Sequence, residues 1–334
     1  MDESPDADPA ATLGREGEAA ALARILPRLG SAPATVVGAG DDAAVFRVAG
    51  DVVATTDTMV HGPDFRLAWS RPFQLGWKAA ATNLSDVAAM GGTPTALLVA
   101  LAAPAGTTLE FLEHLADGLR EACGELSPGC AVLGGDLAVS DRFTIAVTAL
   151  GSIEGPPVTR SGSRAGDVIA VAGDLGLAGA GIELLFARGV DAAGSPDRAA
   201  ADSLRPEFDR VLDAQLAPRP PIGAGQAAAR AGATAMIDLS DGLVKDAGRV
   251  ARASGVQFVL DASALAAFSG ATLEQQLYGG EDHALLATFP PGGEIPVPFR
   301  PIGRVLAGSG VFLDGTALDG RGWDPYAGWD GKLG

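Results

Sequence analysis

The sequence predicts a mixed α/β (α+β) fold in two domains. Three observations predict it. Segments of strand and helix character mix without strict alternation, which fits neither an all-helical bundle nor a regular βαβ array. Gly155-Pro156-Pro157 breaks the pattern near mid-chain. The 334 residues, 47 % hydrophobic and 19 % charged, suffice for two cores of ordinary size. The expected organisation is a disordered acidic tail over 1–13, an N-terminal domain over 14–154 and a C-terminal α+β domain over 155–331.

The tail carries Asp2, Glu3, Asp6 and Asp8, two prolines and no apolar period. Glu16 to Arg28 reads as a helix through Ala20, Leu22, Ile25 and Leu26, with Gly30 past its end. Val36 to Val37, Ala44 to Val48 and Val52 to Thr55 read as short strands. In Phe73 to Met90, Trp77, Ala81, Leu84 and Ala88 recur at helical spacing. Thr95 to Leu101 is β-rich. Thr108 to Ala122 is an amphipathic helix, and Ala131 to Leu133 and Phe143 to Leu150 are strands. After the break, Val168 to Ala172 opens the second half as a strand. Helices follow at Leu175 to Ala187, Ala199 to Leu216 and Pro221 to Ala231. Ala233 to Ile237 reads as a strand and Ser240 to Ser254 as a helix. Val256 to Leu260, Ala284 to Phe289, Pro301 to Val305 and Val311 to Leu313 complete the strands.

The formal charge of −17 works against binding nucleic acid or anionic membrane surfaces. No apolar run reaches the ~18 residues of a membrane span. The N-terminus has acid where a signal peptide needs base. Cys123 and Cys130 allow at most one bridge, and His61, His114 and His283 are too few for a His/Cys zinc site. A cytoplasmic location is expected. An anionic substrate would need local positive charge, from arginines or metal ions.

One local pattern recurs: an apolar run reaches small residues and meets aspartate. It occurs at Val52-Val-Ala-Thr-Thr-Asp57, Ala131-Val-Leu-Gly-Gly-Asp136 and Ala235-Met-Ile-Asp238. Gly40-Asp-Asp42 and Asn83-Leu-Ser-Asp86 stand beside it, and Asp241 is expected in the first turn of the following helix. Any one aspartate is explained as a turn former or helix cap. Read jointly, they end strands that could meet at one sheet edge. Two such charges 4 Å apart repel by roughly 4 kcal/mol at an effective dielectric near 20. A gathered set takes up protons or recruits a cation. Carboxylates with Thr55, Thr56, Ser85 and Ser240 hydroxyls beside them suit magnesium, which suits phosphoryl transfer.

The chain has no G-x-x-x-x-G-K-[ST] loop and no complete protein-kinase signature set. Gly173 to Gly181 follows a strand and opens a helix. Two readings stand: backbone N–H groups offered to phosphate, or Asp174 capping the helix over glycines that pack closely. Arg160, in Thr159-Arg-Ser-Gly162, is a candidate phosphate clamp or an ordinary surface arginine. Gly279-Gly-Glu-Asp282 is a tight turn ending in two acids.

Together these stretches resemble the thiamine-monophosphate kinase family. The matching segments are Gly38-Ala-Gly-Asp-Asp42, Thr55-Thr-Asp57, Asn83 to Gly91, Gly134-Gly-Asp136, Thr159-Arg-Ser-Gly162, Ile237 to Leu243, Gly279-Gly-Glu-Asp282 and Gly322-Trp-Asp324, in family order over roughly 14 to 330. The resemblance implies ATP-dependent phosphorylation of thiamine monophosphate by direct in-line transfer. It implies the aminoimidazole ribonucleotide synthetase-like fold, with an N-terminal sheet domain that dimerises. By position it implies several magnesium ions on Asp42, Thr55, Thr56, Asp57, Asp86, Asp136, Asp238 and Asp241, with potassium a further candidate. It implies ATP contacts at Gly135, Asp136, Arg160 and Ser240, and substrate contacts at Asp64, Glu281 and Trp323. Asp57, Asp136 and Asp241 are the candidate catalytic set.

Three departures concern the substrate side. Gly62-Pro-Asp-Phe65 has Asp64 where the family has His, with His61 nearby. Val139 and Gln215-Leu-Ala-Pro218 each stand where the family has Arg. Two alternatives therefore stay open: a relative of the same fold acting on another phosphorylated small molecule, and a non-catalytic nucleotide- or metal-binding derivative.

Overall fold

The computed structural model describes residues 11–40 and 42–322. Trp323 and the tail up to residue 10 lie outside the described residues. The end of the expected tail is tied down: Thr12 bridges Thr108, and the Leu13 N–H donates to the Thr107 carbonyl at 2.9 Å.

The first half contains α1 (Leu13–Ile25), a 3-10 turn (Leu26–Arg28), β1 (Thr35–Val37), β2 (Val45–Phe46), β3 (Asp51–Val60), α2 (Pro72–Ala89), β4 (Thr93–Ala103), α3 (Leu109–Leu126), β5 (Ala131–Val139) and β6 (Thr144–Ile153). The second contains β7 (Val168–Ala172), α4 (Leu177–Arg188), α5 (Arg198–Leu216), α6 (Ile222–Arg230), β8 (Ala235–Leu239), α7 (Leu243–Ser254), β9 (Gln257–Leu260), α8 (Ala262–Leu265), α9 (Leu273–Tyr278), β10 (Ala284–Phe289), β11 (Arg300–Leu306), β12 (Gly310–Leu313) and β13 (Thr316–Ala317).

Most expected elements form, with shifted ends. The instructive shift concerns the aspartates. β3 runs on to Val60 and β5 to Val139, so Asp57 and Asp136 sit inside strands; only Asp238 lies near a strand end. Asp241 precedes α7 by two residues instead of sitting in its first turn. α8, α9 and β13 have no counterpart in the expectation. For α9 the Thr272-x-x-Gln275 capping box was the available signal: the Gln275 N–H donates to Thr272 Oγ1, and the Thr272 N–H donates to Gln275 Oε1.

The N-terminal sheet has the order β3-β6-β4-β5, with only the β4–β5 pair parallel. α2 and α3 cover one face. Gly76 and Gly118 make their close crossing possible: a Cβ at either would lie 2.0 Å from a carbonyl oxygen of the other helix. On the other face Ala32, Ala44 and Phe46 pack over Ala96, Ala131 and Leu150 at one end, while Val52 and Leu98 stand exposed among the described residues. The C-terminal sheet has seven strands in the order β13-β12-β9-β11-β7-β10-β8.

α2 joins the two halves. Every residue from Leu75 to Ala89 except Asp86 is buried. A helix buried on all sides belongs to a core rather than a surface. One side meets the N-terminal sheet and α3; the other meets α6, β8 and β10. A single apolar cluster runs from Leu97 and Val147 through Ala80 and Leu84 to Met236, Leu285 and Phe289. A second core on the far face of the C-terminal sheet packs Ile237, Phe258 and Ile302 under Val244 and Val250 of α7. Among the described residues no helix is long and apolar enough to cross a membrane.

Candidate active site

Three of the predicted carboxylates converge between the two sheets. Alternation along β3 turns Thr55, Asp57 and Met59 toward α2, because Asp57 shares its register row with the buried Val147 and Val99. Thr55 Oγ1 donates to Asp86 Oδ2 on α2 at 3.0 Å. Asp238 enters from β8 and is 5 % exposed. Ser85 Oγ stands 3.3 Å from its Oδ2, and His283 Nδ1 stands 3.4 Å from the same oxygen.

The charges register this crowding. Burial, then the Asp238 and Asp57 carboxylates, push the Asp86 carboxyl up to about 7. Burial raises Asp57 as well, with His283 opposing and Asp238 adding to the rise. Burial works against the His283 cation, but the Asp238 hydrogen bond and charge outweigh it and raise its pKa. His283 Nε2 is buried and has no hydrogen-bond partner among the described residues.

A cavity of about 310 Å³ adjoins the cluster. Asp57, Lys78, Ser240, Asp241, Glu281 and His283 line it together with Asp64, Phe65, Trp69 and Phe186. Lys78, only 3 % exposed on α2, pairs with Glu281 Oε1 at 2.6 Å. Gln215 Nε2 donates to the other Glu281 oxygen at 2.5 Å. Burial opposes the Glu281 charge, but Lys78 and Gln215 hold its carboxyl below the usual range. Two turns are zipped together here: the Glu281 N–H donates to the Ser240 carbonyl at 2.8 Å and the His283 N–H to the Leu239 carbonyl at 2.9 Å. Glu281 and His283 adopt φ of 66° and 50°, the left-handed region that non-glycine residues avoid unless the surroundings hold them.

Asp64 Oδ2 accepts the Val60 N–H at 2.7 Å, so a carboxylate forms the wall at this position. Burial raises its pKa, the Val60 bond lowers it, and Glu281 raises it again. His61 stacks on Phe65 at 5.6 Å and is not part of the cavity lining. Arg66 lies over Trp69 and Phe186, at 4.9 and 4.7 Å from the ring centres.

The rest of the predicted set does not join in one chain. Asp136 shares its register row with Ala100, Ala146 and Thr58 on the outer face, at the opposite edge from β3. Three strand spacings, about 14 Å, separate the two edges. Asp57 and Asp136 therefore point to opposite sides of the sheet. Thr56 lies on the outer face too, where its hydroxyl donates to the Val147 carbonyl at 3.0 Å. Gly135 is placed by packing: a Cβ there would meet the Val99 carbonyl at 1.9 Å. Asp42 is exposed in the turn between β1 and β2. Arg160 is exposed outside the cavity lining, its carbonyl accepting from Ser254 Oγ at 3.1 Å. Cys123 and Cys130 are buried free thiols, not a bridge.

Of the two readings of Gly173 to Gly181, only the close packing of the glycines holds: a Cβ at Gly179 would lie 2.7 Å from Gly279 Cα, and one at Gly181 2.2 Å from the Val211 carbonyl oxygen. The Gly176 and Ala178 N–H groups donate to the Asp282 carboxylate at 2.5 and 2.9 Å, so a distant side chain takes the donors at this helix start. Asp174 is exposed and faces Arg210 at 3.4 Å.

Sequence reasoning missed Lys78 and His283. Lys78, Thr82, Ser85 and Asp86 form a polar stripe at helical spacing on an otherwise apolar segment; that stripe was the available signal. His283 follows the acidic turn directly, but nothing in the sequence brings it to Asp238.

Magnesium is implied by the family resemblance, and the donors fit it. They are hard oxygen ligands whose mutual repulsion a cation would relieve. Among the described residues no three His, Cys, Asp or Glu side chains form a compact metal cage. Magnesium is held by one or two carboxylates plus waters and phosphate oxygens, so a loose acidic wall suits it better than a cage would.

Comparison with known proteins matches both halves of the chain. The family models for AIR synthase related proteins match here, the N-terminal domain over residues 40–153 and the C-terminal domain over 164–295. The thiamine-monophosphate kinase of Mycobacterium tuberculosis (strain H37Rv) is 41 % identical over 332 residues, 95 % of this chain and 92 % of that protein. The thiamine-monophosphate kinase structure from Stenotrophomonas maltophilia K279a is 30 % identical with a TM-score of 0.74, over 89 % of this chain and 97 % of that one. The structure of AaThiL complexed with AMPPCP and TMP is 32 % identical with a TM-score of 0.70, over 81 % and 86 % of the two chains.

Proposed function

Since the chain belongs to the thiamine-monophosphate kinase family, we propose that it is an ATP-dependent kinase converting thiamine monophosphate to thiamine diphosphate. The observation that carries this reading is the cavity in which Asp57, Ser240 and Asp241 share a wall with Phe65, Trp69 and Phe186. An aromatic, cationic ring fits beside aromatic faces and the Asp64 and Glu281 carboxylates. Its phosphate fits near the acidic group only with cations between them.

Thr55, Asp57, Asp86, Asp238 and Asp241 would hold magnesium, which when bound neutralises charge on the phosphates. The chain's own groups supply position. Lys78 and Gln215 fix the Glu281 carboxylate, and the paired turns fix Ser240 and Asp241 against it. A phosphate oxygen of the substrate attacks the γ-phosphorus of ATP in line, forming one P–O bond as the bond to ADP breaks, with no covalent enzyme intermediate. Trp323 is retained as a candidate to stack on the substrate ring.

The active form is taken to be a homodimer through the outer face of the N-terminal sheet. Its exposed Val52 and Leu98 favour burial, and this would place Asp136 and Thr56 at the interface. Domains over 14–154 and 155–331, with ATP contacts at Arg160 and Ser240 and a metal contact at Asp42, complete the reading, for a protein working in the cytoplasm.

The test incubates the purified protein with ATP, magnesium and thiamine monophosphate and measures thiamine diphosphate by chromatography, with potassium varied in parallel. Magnesium-dependent product is expected. Absence of product across the magnesium and potassium range, with intact fold, would overturn the substrate assignment.

A further inference from the structure

Asp241 already has cations on its carboxylate. Arg249 Nη2 donates to Asp241 Oδ2, and Lys245 Nζ stands 3.2 Å from the same oxygen. The other end of the guanidinium is fixed: Arg249 Nη1 donates to Asp246 Oδ1. Asp246 has no exposed surface, and its Oδ2 accepts the backbone N–H of Asp241 at 2.9 Å. Asp246, Arg249 and the Ser240–Asp241–Gly242 turn therefore form one closed bracket. Arg249 forks across two carboxylates, one lining the cavity and one beyond the reach of water. Because a guanidinium does not give up its proton in proteins, it cannot leave Asp241 by titration.

We propose that Arg249 is a resident competitor for the divalent ion at Asp241 and a positioning residue for the turn that carries it. The inference deepens the metal-dependent kinase reading and rests on it. An ion that takes Asp241 displaces the Nη2 edge, while Nη1 stays anchored on Asp246. The released edge then points a charged N–H fork toward the ion's own surroundings, where a phosphate oxygen is the natural acceptor. The ion alone loses by the exchange; the ion arriving with a polyphosphate regains the contact. Metal and nucleotide binding are thereby coupled through one side chain.

Isothermal titration of the full chain with magnesium chloride alone, and then with magnesium plus a non-hydrolysable ATP analogue, tests this without turnover. Arg249→Lys keeps a cation for Asp246 but cannot fork across both carboxylates. It should bind magnesium alone more tightly than wild type, by on the order of fivefold, and the metal–nucleotide complex more weakly by a similar factor. The double variant Arg249→Gln with Asp246→Asn removes the guanidinium without leaving a buried charge unpaired, and should move both affinities the same way. Folding is checked by circular dichroism. Unchanged or weaker magnesium binding in both variants, beside a wild type that binds both ligands, would overturn the role of Arg249 and leave the kinase reading standing. A wild type that binds neither magnesium nor nucleotide would overturn the kinase reading and this inference together.

Discussion

The two faces of the N-terminal sheet carry the same sequence signal and meet opposite surroundings. On the inner face Asp57 looks toward α2 and the second sheet, within electrostatic reach of Asp86, Asp238 and His283. On the outer face Asp136 stands exposed beside small and apolar neighbours. Both belong to strands that run through small residues into aspartate. The difference lies in side-chain parity along the strand and in which face the helices cover. A carboxylate becomes expensive only where the chain also removes the water.

The strongest way to break this comparison is activity. Asp57→Asn should lower kcat/KM by roughly a thousandfold with an unchanged circular dichroism spectrum, measured by chromatography of the thiamine diphosphate formed. On the proposed dimer, where the outer face is completed by a second copy, Asp136→Asn should also cut turnover by a comparable factor. Full activity in Asp57→Asn would remove the inner face from the chemistry.

Stability separates the faces more finely. Removing the Asp86 charge relieves repulsion with Asp238 and Asp57, so Asp86→Asn should stabilise the metal-free protein at pH 8 by about 2 kcal/mol in urea unfolding. Asp136→Asn should leave it within about 0.5 kcal/mol. Equal effects in the two variants would mean the faces do not differ electrostatically.

Asp282 sharpens the point by separating burial from repulsion. Burial pushes its carboxyl up to about 7 even though the Gly176 and Ala178 N–H groups pull the other way. A pKa raised on folding means that the native state holds the proton longer than the unfolded state. This group's contribution is therefore most favourable at low pH and is lost as pH rises from about 4 through 7. Relative to wild type, Asp282→Asn should gain about 2.5 kcal/mol between pH 5 and pH 8, read from unfolding curves at both values. A flat difference would show that the two N–H donors, not burial, control this carboxylate.

The smallest effect on the single chain is expected at Val52 on the outer face, which is 58 % exposed. Val52→Asp should change monomer stability by under about 1 kcal/mol yet shift the proposed dimer to monomer in analytical ultracentrifugation. A retained dimer would move the interface elsewhere.

Element identities were legible because they rest on local periodicity. The apolar repeat of α2 and the β-rich runs of β7 and β10 show in the sequence itself. The grouping of Asp57, Asp86 and Asp238 was legible in outline, from shared spelling. The face each aspartate takes was not. β5 continues through Gly134 and Gly135, where glycine weakens a strand or marks a bulge, and a register shift that skips Leu133 resets the alternation; together they decide the direction of Asp136. The closure of the α4 start by Asp282 was equally hidden, since the carboxylate lies over a hundred residues from the N–H groups it holds. Contacts of that kind are set by packing between the halves, which no local window contains.

The placement of α2 has a consequence for how the protein can be taken apart. A helix that lends one flank to each sheet makes the two halves thermodynamic dependants rather than modules. Severing the chain near Gly155 should yield an N-terminal piece with a bare apolar flank and a C-terminal piece whose sheet lacks its lid. Unfolding by denaturant should accordingly proceed in one step instead of two.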